Sequence, residues 1–289
     1  MKIGVVGLGL IGGSIAKELK LRSFGSIEVF GVDNNPEHSQ KASDLDLVNG
    51  IIDLDSACQQ CDVIIVAVPV NIIERILLQI LDKIDDNVTV FDVGSTKKEI
   101  CNAVKSHKMR RRFVASHPLA GTERSGPEAA LINLFNGKKN IICEEKFSDK
   151  DAIDNTMKIF DFLGMKSYFL SADEHDKHMA YVSHLSHVTS FALSQTVLDI
   201  EKDEKQIFNL ASTGFATTAR LAKCNPVTWA AIFEKNSTYL SEALGVYIQK
   251  MTEFKKLVDS VDVKGIHSSI VEANEITRVL KGIELNKTS

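Results

Sequence analysis

The chain has few cysteines, no long apolar run and no surplus of positive charge, and each absence excludes a class of protein. Its five cysteines, an odd number dispersed over 289 residues, argue against a disulfide framework. No apolar run reaches membrane-spanning length, and a strand-like segment begins at the N-terminus without a charged and apolar leader, which favours the cytoplasm. Lysine and arginine number 34 against 38 acidic residues, a formal charge of −4, so we expect no nucleic-acid partner and no membrane association.

The chain also lacks a complete metal-binding pattern. Cys58 and Cys61 form a CxxC pair, but no second pair and no nearby histidine completes a zinc site, so helix packing is the better interpretation. His184 and His187 lie on one face of a predicted helix, yet no acidic or cysteine ligand follows at a suitable spacing. We therefore expect no metal.

A glycine-rich turn lies near the start of the chain. Apolar residues 3–6 predict a strand, residues 14–19 predict a helix, and three glycines lie between them. In this pattern the first glycine allows a tight turn, the second lets the main chain approach a pyrophosphate, and the third lets the helix pack closely on the strand. The helix N-terminus then binds the phosphates. The predicted dinucleotide site comprises Gly7, Leu8, Gly9, Leu10, Ile11 and Gly12.

A carboxylate follows at the position where a ribose would bind. The second predicted strand, residues 27–32, ends at Asp33, about 20 residues beyond the last glycine. Asn34 and Asn35 come next, with no arginine to accept a 2′-phosphate. The expected cofactor is therefore NAD rather than NADP.

Apolar strands alternate with amphipathic helices as far as about residue 170. Residues 62–68 form an almost continuous apolar run that Pro69 ends, which is typical of a parallel strand buried on both faces. The alternation predicts an α/β fold with a Rossmann-type doubly wound parallel sheet over residues 1–170.

Two further strands predict where polar groups meet the cofactor. Residues 88–93 lead to Ser95, and residues 113–115 lead to His117. Ligands of open α/β sheets bind at the carboxyl ends of the strands. We therefore expect Val68, Pro69 and Ser95 at the cofactor, with His117 nearby.

From Ser171 onward the pattern is helical, which predicts an all-α dimerisation domain over residues 171–289. Asn225 and Pro226 are a favourable helix start, and residues 227–258 predict one long helix. Its apolar positions cover more surface than one neighbouring helix would bury, so we expect a homodimer joined through this domain.

Several motifs together resemble the prephenate/arogenate dehydrogenase family, over nearly the whole chain. They are the segments 7–14, 92–95, 117–123 and 183–187, with Arg220 and Trp229. The chain departs from the family near Thr217, where related sequences often carry an acidic residue.

The resemblance implies oxidative decarboxylation of prephenate to 4-hydroxyphenylpyruvate in tyrosine biosynthesis. It makes His117 the acceptor of the hydroxyl proton, a role that a neutral histidine can fill near pH 7, with Ser95 orienting the reactants. Arg220 would bind a substrate carboxylate, assisted by His187. His184, Thr122 and Glu123 complete the expected substrate pocket.

Other activities stay open at this point. Arogenate differs from prephenate by an amino group in place of a keto group, and the residues that choose between them cannot be located. A β-hydroxyacid dehydrogenase or pyrroline-carboxylate-type reductase would share the architecture, but the helix lysine typical of the former has no counterpart. A non-catalytic NAD sensor would have no need of His117, Ser95 and Arg220.

Overall fold

A computed structural model describes residues 1–202 and 212–281. Strands and helices alternate through most of the first half. They are β1 (Lys2–Val6), α1 (Leu10–Arg22), β2 (Glu28–Val32), α2 (Pro36–Asp44), β3 (Gly50–Ile51), α3 (Leu54–Gln60), β4 (Val63–Val66), α4 (Val70–Leu81), β5 (Thr89–Asp92), α5 (Lys98–Ala103), β6 (Phe113–Pro118), β7 (Lys139–Cys143), α6 (Lys150–Phe162) and β8 (Lys166–Leu170).

Helices make up the described remainder. They are α7 (Ala172–Met179), a π-helical turn (Ala180–His184), α8 (Leu185–Glu201), α9 (Thr213–Ala219), a 3-10 turn (Arg220–Lys223), α10 (Pro226–Lys235), α11 (Ser237–Asp259) and α12 (Val263–Ala273), followed by a 3-10 turn (Asn274–Ile276). No helix in these two described ranges is both long and apolar enough to cross a bilayer.

The strands form one sheet in the order β3-β2-β1-β4-β5-β6-β7-β8. Neighbouring strands are parallel except for β6 and β7, which are antiparallel. The strand order reverses between β1 and β4, which is the position where doubly wound sheets bind ligands. The predicted fold is confirmed, but the sequence did not predict the reversed direction of β7 and β8.

Helices cover both faces of the sheet, because alternate residues of each buried strand point to opposite sides. Ile64 and Val66 of β4 pack in one core with the apolar stripe of α4, whereas Val63 and Ile65 pack in a second core that includes residues of α1. Both cores exclude water from the strands, so the carboxyl ends of the strands are held in fixed positions.

The CxxC cysteines belong to the first of these cores. Cys58 lies on α3, Cys61 follows it, and both are buried without a disulfide. A Cβ added at Gly4 of β1 would lie only 3.2 Å from Cys61 Sγ, so the helix packs closely on the strand. Burial raises the pKa of each thiol to about 11, which keeps it protonated near neutral pH. The predicted packing role is confirmed.

The long helix predicted over residues 227–258 is wrong, since α10 ends at Lys235 and α11 begins at Ser237. As predicted, the side chain of Asn225 caps α10 by accepting from Val227 N and Thr228 N. Asn236 interrupts the run with φ −121° and ψ 27°, and its buried side chain donates a hydrogen bond to the main-chain oxygen of Asp176. Helix periodicity cannot reveal this distant partner.

Contacts divide the chain into two compact units, residues 1–237 and 238–289. The first unit contains the sheet and also α7 to α10, so it extends beyond residue 170. The predicted domain boundary at residues 170 and 171 stays a prediction. In the second unit, large apolar side chains are exposed along both helices, among them Val246, Ile248, Met251, Ile270 and Val271.

Candidate active site

The glycines of the β1–α1 turn have different surroundings. Gly7 has φ +96°, and a Cβ there would lie 2.6 Å from Ala67 O. A Cβ at Gly12 would lie 1.9 Å from Gly7 O, so both positions require glycine for the fold itself. At Gly9 an added Cβ meets no protein atom within 4 Å. Of these three glycines, only Gly9 leaves open space for a ligand at the N-terminus of α1. The main-chain N–H groups at a helix N-terminus suit a pyrophosphate.

A cavity of about 1190 Å³ opens at this edge of the sheet. Most of the predicted cofactor and pocket residues line it, namely Gly7, Gly9, Leu10, Ile11, Asp33, Val68, Pro69, Ser95, Thr122 and Glu123. Leu8 and Gly12 are buried and lie outside the lining. Leu8 contributes through its main chain, since its N–H donates to Asp33 Oδ2 at 2.8 Å.

Asp33 is held in place at the end of β2. Its Oδ1 accepts from Asn35 N at 2.9 Å, and Asn35 in turn caps α2. Sequence reasoning overlooked two basic side chains that line the same part of the cavity, His38 and Lys41. His38 Nδ1 lies 3.6 Å from Asp33 Oδ2, and Lys41 Nζ lies 3.5 Å from Glu128 Oε1. Each basic group therefore already faces a carboxylate.

His117, the last residue but one of β6, is the start of a buried hydrogen-bonded chain. Its Nδ1 lies 2.8 Å from His175 Nε2, and His175 Nδ1 lies 2.7 Å from Asp176 Oδ1. Burial lowers the pKa of His117 well below 6.5, and the nearby His175, Lys97 and His184 lower it further. His117 is therefore neutral near pH 7 and able to accept a proton.

A buried ion pair fixes the ends of β5 and β6 relative to each other. Lys97 and Asp92 are fully buried and paired, and Lys97 Nζ also donates to Ser116 O at 2.8 Å. Asp92 accepts from Ser116 N at 3.2 Å and from Gly94 N at 2.8 Å. Because Gly94 and Ser116 directly precede Ser95 and His117, these bonds limit the relative movement of the two predicted catalytic residues.

A second cluster surrounds the only tryptophan of the sequence. The rings of His187 and Trp229 are stacked, with centroids 3.3 Å apart, and His184 contacts Trp229 edge-on at 6.1 Å. His184 Nδ1 lies 3.1 Å from Asn236 Nδ2, and burial lowers the pKa of His184 to about 4. Burial, together with the charge of Arg220, also lowers the pKa of His187.

Two family models match consecutive parts of the chain. Residues 15–169 match the nucleotide-binding domain of prephenate dehydrogenase, and residues 171–272 match the dimerization domain of prephenate dehydrogenase. The chain belongs to the prephenate dehydrogenase family. The family resemblance and the dehydrogenase class that were predicted from the motifs are confirmed, as is the nucleotide-binding role of the sheet-bearing part.

Members of this family that resemble the chain differ in substrate. A prephenate dehydrogenase from Lactococcus lactis is 29% identical over 266 residues, which are 91% of this chain and 71% of the relative. The structure of prephenate dehydrogenase from Aquifex aeolicus with hydroxyphenyl propionate and NAD+ is 30% identical, with a TM-score of 0.87 and coverage of 96% and 97%. The structure of Synechocystis arogenate dehydrogenase is 28% identical, with a TM-score of 0.78 and coverage of 97% and 100%.

The predicted substrate residues of this family member occupy two places. Thr122 and Glu123 lie on an exposed loop at the cavity, whereas His184, His187 and Arg220 do not line it. Trp229 joins the two places, since it lines the cavity and stacks on His187. No group of three or more His, Cys, Asp or Glu side chains in residues 1–202 and 212–281 is arranged to hold a metal ion.

Sequence reasoning gave no role to three residues that connect the site. His175 and Asp176 link to His117, and Asn236 links Asp176 to His184. The adjacent His-Asp pair was a usable signal, because a carboxylate beside a histidine often orients its ring. At the departure from the family pattern, Thr217 donates to Thr213 O at 2.8 Å within α9.

Proposed function

We propose that the chain is an NAD-dependent prephenate dehydrogenase, which converts prephenate to 4-hydroxyphenylpyruvate and carbon dioxide. The observation that carries this proposal is His117, a neutral and hydrogen-bonded imidazole at the carboxyl end of β6 in a prephenate dehydrogenase family fold. The same observation disfavours a β-hydroxyacid dehydrogenase and a non-catalytic NAD sensor, neither of which explains this histidine.

NAD is the cofactor. The space beside Gly9 admits a pyrophosphate, and the carboxylate of Asp33 suits the ribose hydroxyls and repels a 2′-phosphate. His38 and Lys41 face carboxylates already, which limits their attraction for a phosphate. When bound, NAD accepts the hydride from the substrate carbon that carries the 4-hydroxyl.

His117 accepts the proton of that hydroxyl as the carbonyl develops, and the ring becomes aromatic as carbon dioxide leaves. Ser95 lines the cavity at the end of β5 and orients the hydroxyl and the nicotinamide. The network of Asp92 and Lys97 keeps Ser95 and His117 at a fixed separation. The driving force of aromatisation makes a metal ion unnecessary.

Arg220 binds a substrate carboxylate. Arg220 is exposed, and its positive charge lowers the pKa of His187. A cation therefore lies near the stacked rings of His187 and Trp229 and can attract a carboxylate. His187 assists on the same side. His184 is almost fully buried, so we assign it to supporting Trp229 and Asn236, while Thr122 and Glu123 border the entrance.

Arogenate dehydrogenase activity is the second candidate, because a family member of similar identity is an arogenate dehydrogenase. An absorbance assay with purified enzyme separates the candidates by comparing prephenate with arogenate, each with NAD and with NADP. We expect the highest kcat/KM with prephenate and NAD. A preference for arogenate would replace the substrate assignment, comparable values for NADP would overturn the role of Asp33, and no turnover of either substrate would refute the proposed function.

We also propose a homodimer joined through the C-terminal helices, in the cytoplasm. The match to a dimerization domain supports this assembly, and so do the exposed apolar side chains of α11 and α12.

A further inference from the structure

His175 and Asp176 are adjacent residues of α7 to which the mechanism above gives no role. His175 is fully buried and Asp176 is 1% exposed, and the two side chains continue the hydrogen-bonded chain that begins at His117. Burying a carboxylate next to two imidazoles lowers the stability of the folded protein unless each polar atom has a hydrogen-bond partner. The hydrogen-bond partners of Asp176 therefore determine which ring nitrogens of His175 and His117 carry a hydrogen.

The carboxylate of Asp176 fixes the direction of each hydrogen bond. It accepts from Lys97 N at 2.7 Å and from Lys98 N at 2.9 Å, at the start of α5. Because an ionised carboxylate only accepts, His175 must donate from Nδ1. Burial lowers the pKa of His175, as it does that of His117, so each ring carries a single N–H near pH 7. His175 Nε2 is then an acceptor, and His117 must donate from Nδ1.

We propose that His175 and Asp176 are positioning residues that hold His117 in the tautomer with its hydrogen on Nδ1, leaving Nε2 free to accept the substrate's hydroxyl proton. This inference rests on the proposed function. The opposite tautomer would place the lone pair of His175 Nδ1 against the Asp176 carboxylate and an N–H of His117 toward the substrate.

The hydrogen bonds that link His117, His175 and Asp176 also stabilise the positive charge that forms on His117 during the reaction. When His117 Nε2 takes the hydroxyl proton, the ring becomes a cation that still donates from Nδ1 to His175, and His175 still donates to Asp176. Lys97, Asp92 and His184 are the other titratable groups that act on these rings. Lys97 is paired with Asp92, so the carboxylate of Asp176 is left to balance the new positive charge.

Three variants separate positioning from simple packing. Asp176→Asn removes the negative charge and sets an amide N–H against the main-chain N–H of Lys97 or Lys98, so His175 loses its fixed partner, and we expect kcat to fall by about 10² to 10⁴-fold. His175→Leu fills the space without an acceptor and should lose a similar factor. His175→Gln keeps an acceptor for His117 and a donor for Asp176, so it should stay within about tenfold of wild type. KM for NAD should change little in all three.

His178→Gln is the matched control, because His178 is an exposed histidine on the same helix. It should leave kcat unchanged. If His175→Leu were as active as His175→Gln, the ring would only fill space and the proposal would be overturned.

Nitrogen-15 NMR of histidine-labelled wild-type protein tests the tautomer without substrate, and so does not depend on whether the proposed reaction is correct. We expect the His117 signals to show the hydrogen on Nδ1 at pH 7 and to lose this preference in His175→Leu, which has no acceptor for Nδ1. A wild-type spectrum with the hydrogen on Nε2 would refute the inference even if prephenate is turned over. Failure of turnover alongside the expected spectrum would refute the proposed function instead.

Discussion

Asn236 Nδ2 donates a hydrogen bond of 2.7 Å to the main-chain oxygen of Asp176, across 60 positions of sequence. The bond joins the break between α10 and α11 to the helix that carries the His175–Asp176 pair. The same nitrogen lies 3.1 Å from His184 Nδ1, so one amide serves two buried acceptors. The interruption of the long helix is therefore part of the framework of the site.

Asn236→Leu should destabilise the protein, because it leaves two buried acceptors without a donor. The expected loss in the free energy of unfolding is about 1–3 kcal/mol for each unsatisfied group. Urea denaturation measures it, with Asn71→Ala, an exposed residue of α4, as the control. Equal midpoints for Asn236→Leu and wild type would show that water replaces the amide.

His117→Asn should reduce kcat by about 10² to 10⁴-fold with little change in NAD affinity, since the pyrophosphate and ribose contacts lie elsewhere. Because the pKa of His117 lies below 6.5, the wild-type base stays neutral, and active, at pH values where an ordinary histidine is half protonated. The acidic limb of kcat/KM should therefore fall below pH 6.5 in wild type and disappear in the variant. A variant with near-normal kcat and an unchanged profile would make His184 or His187 the next candidate.

Arg220→Ala should act mainly on KM for prephenate. Loss of a charged carboxylate contact worth several kcal/mol corresponds to an increase of roughly two to four powers of ten. Lys223→Ala, which removes an exposed cation from the same 3-10 turn, is the matched control and should change KM little. If both variants raised KM equally, general attraction by positive charge would explain the effect.

Stability should decrease on acidification, in part through His184. Its pKa is about 4 in the folded protein and about 6.5 when unfolded, so the unfolded state binds the proton more tightly. The contribution is complete above pH 6.5 and is lost progressively as the pH falls toward 4, and it amounts to about 3 kcal/mol. Denaturation curves from pH 7 to 4 should be less steeply pH-dependent for His184→Gln than for wild type. If stability depended on pH equally in the variant and in wild type, His184 would not be a source of the acid sensitivity.

Light scattering should give twice the mass of one chain at micromolar concentration. Met251→Glu places a charge on the exposed apolar surface of α11 and should shift the protein toward monomer, whereas Lys250→Glu, at an exposed polar neighbour, should not. A fully active wild-type monomer would refute the proposed assembly.

Local patterns predicted the parts of the site that depend on neighbouring residues. The glycine turn and Asp33 follow from strand–turn–helix spacing, and the structure places both at the cavity. The partners of His117 could not be predicted in the same way, since His175 is 58 positions away on a helix whose packing no local periodicity specifies. The apolar pattern also continues through Asn236, which conceals the helix break.

The position of Trp229 has an optical consequence. This side chain is the only tryptophan of the sequence, it lines the cavity at the carboxyl ends of the strands, and its indole ring stacks on His187. Its fluorescence therefore originates at one place, where a bound nicotinamide or a change in the charge of His187 would alter the emission. The protein carries a built-in reporter of ligand binding that requires no attached dye.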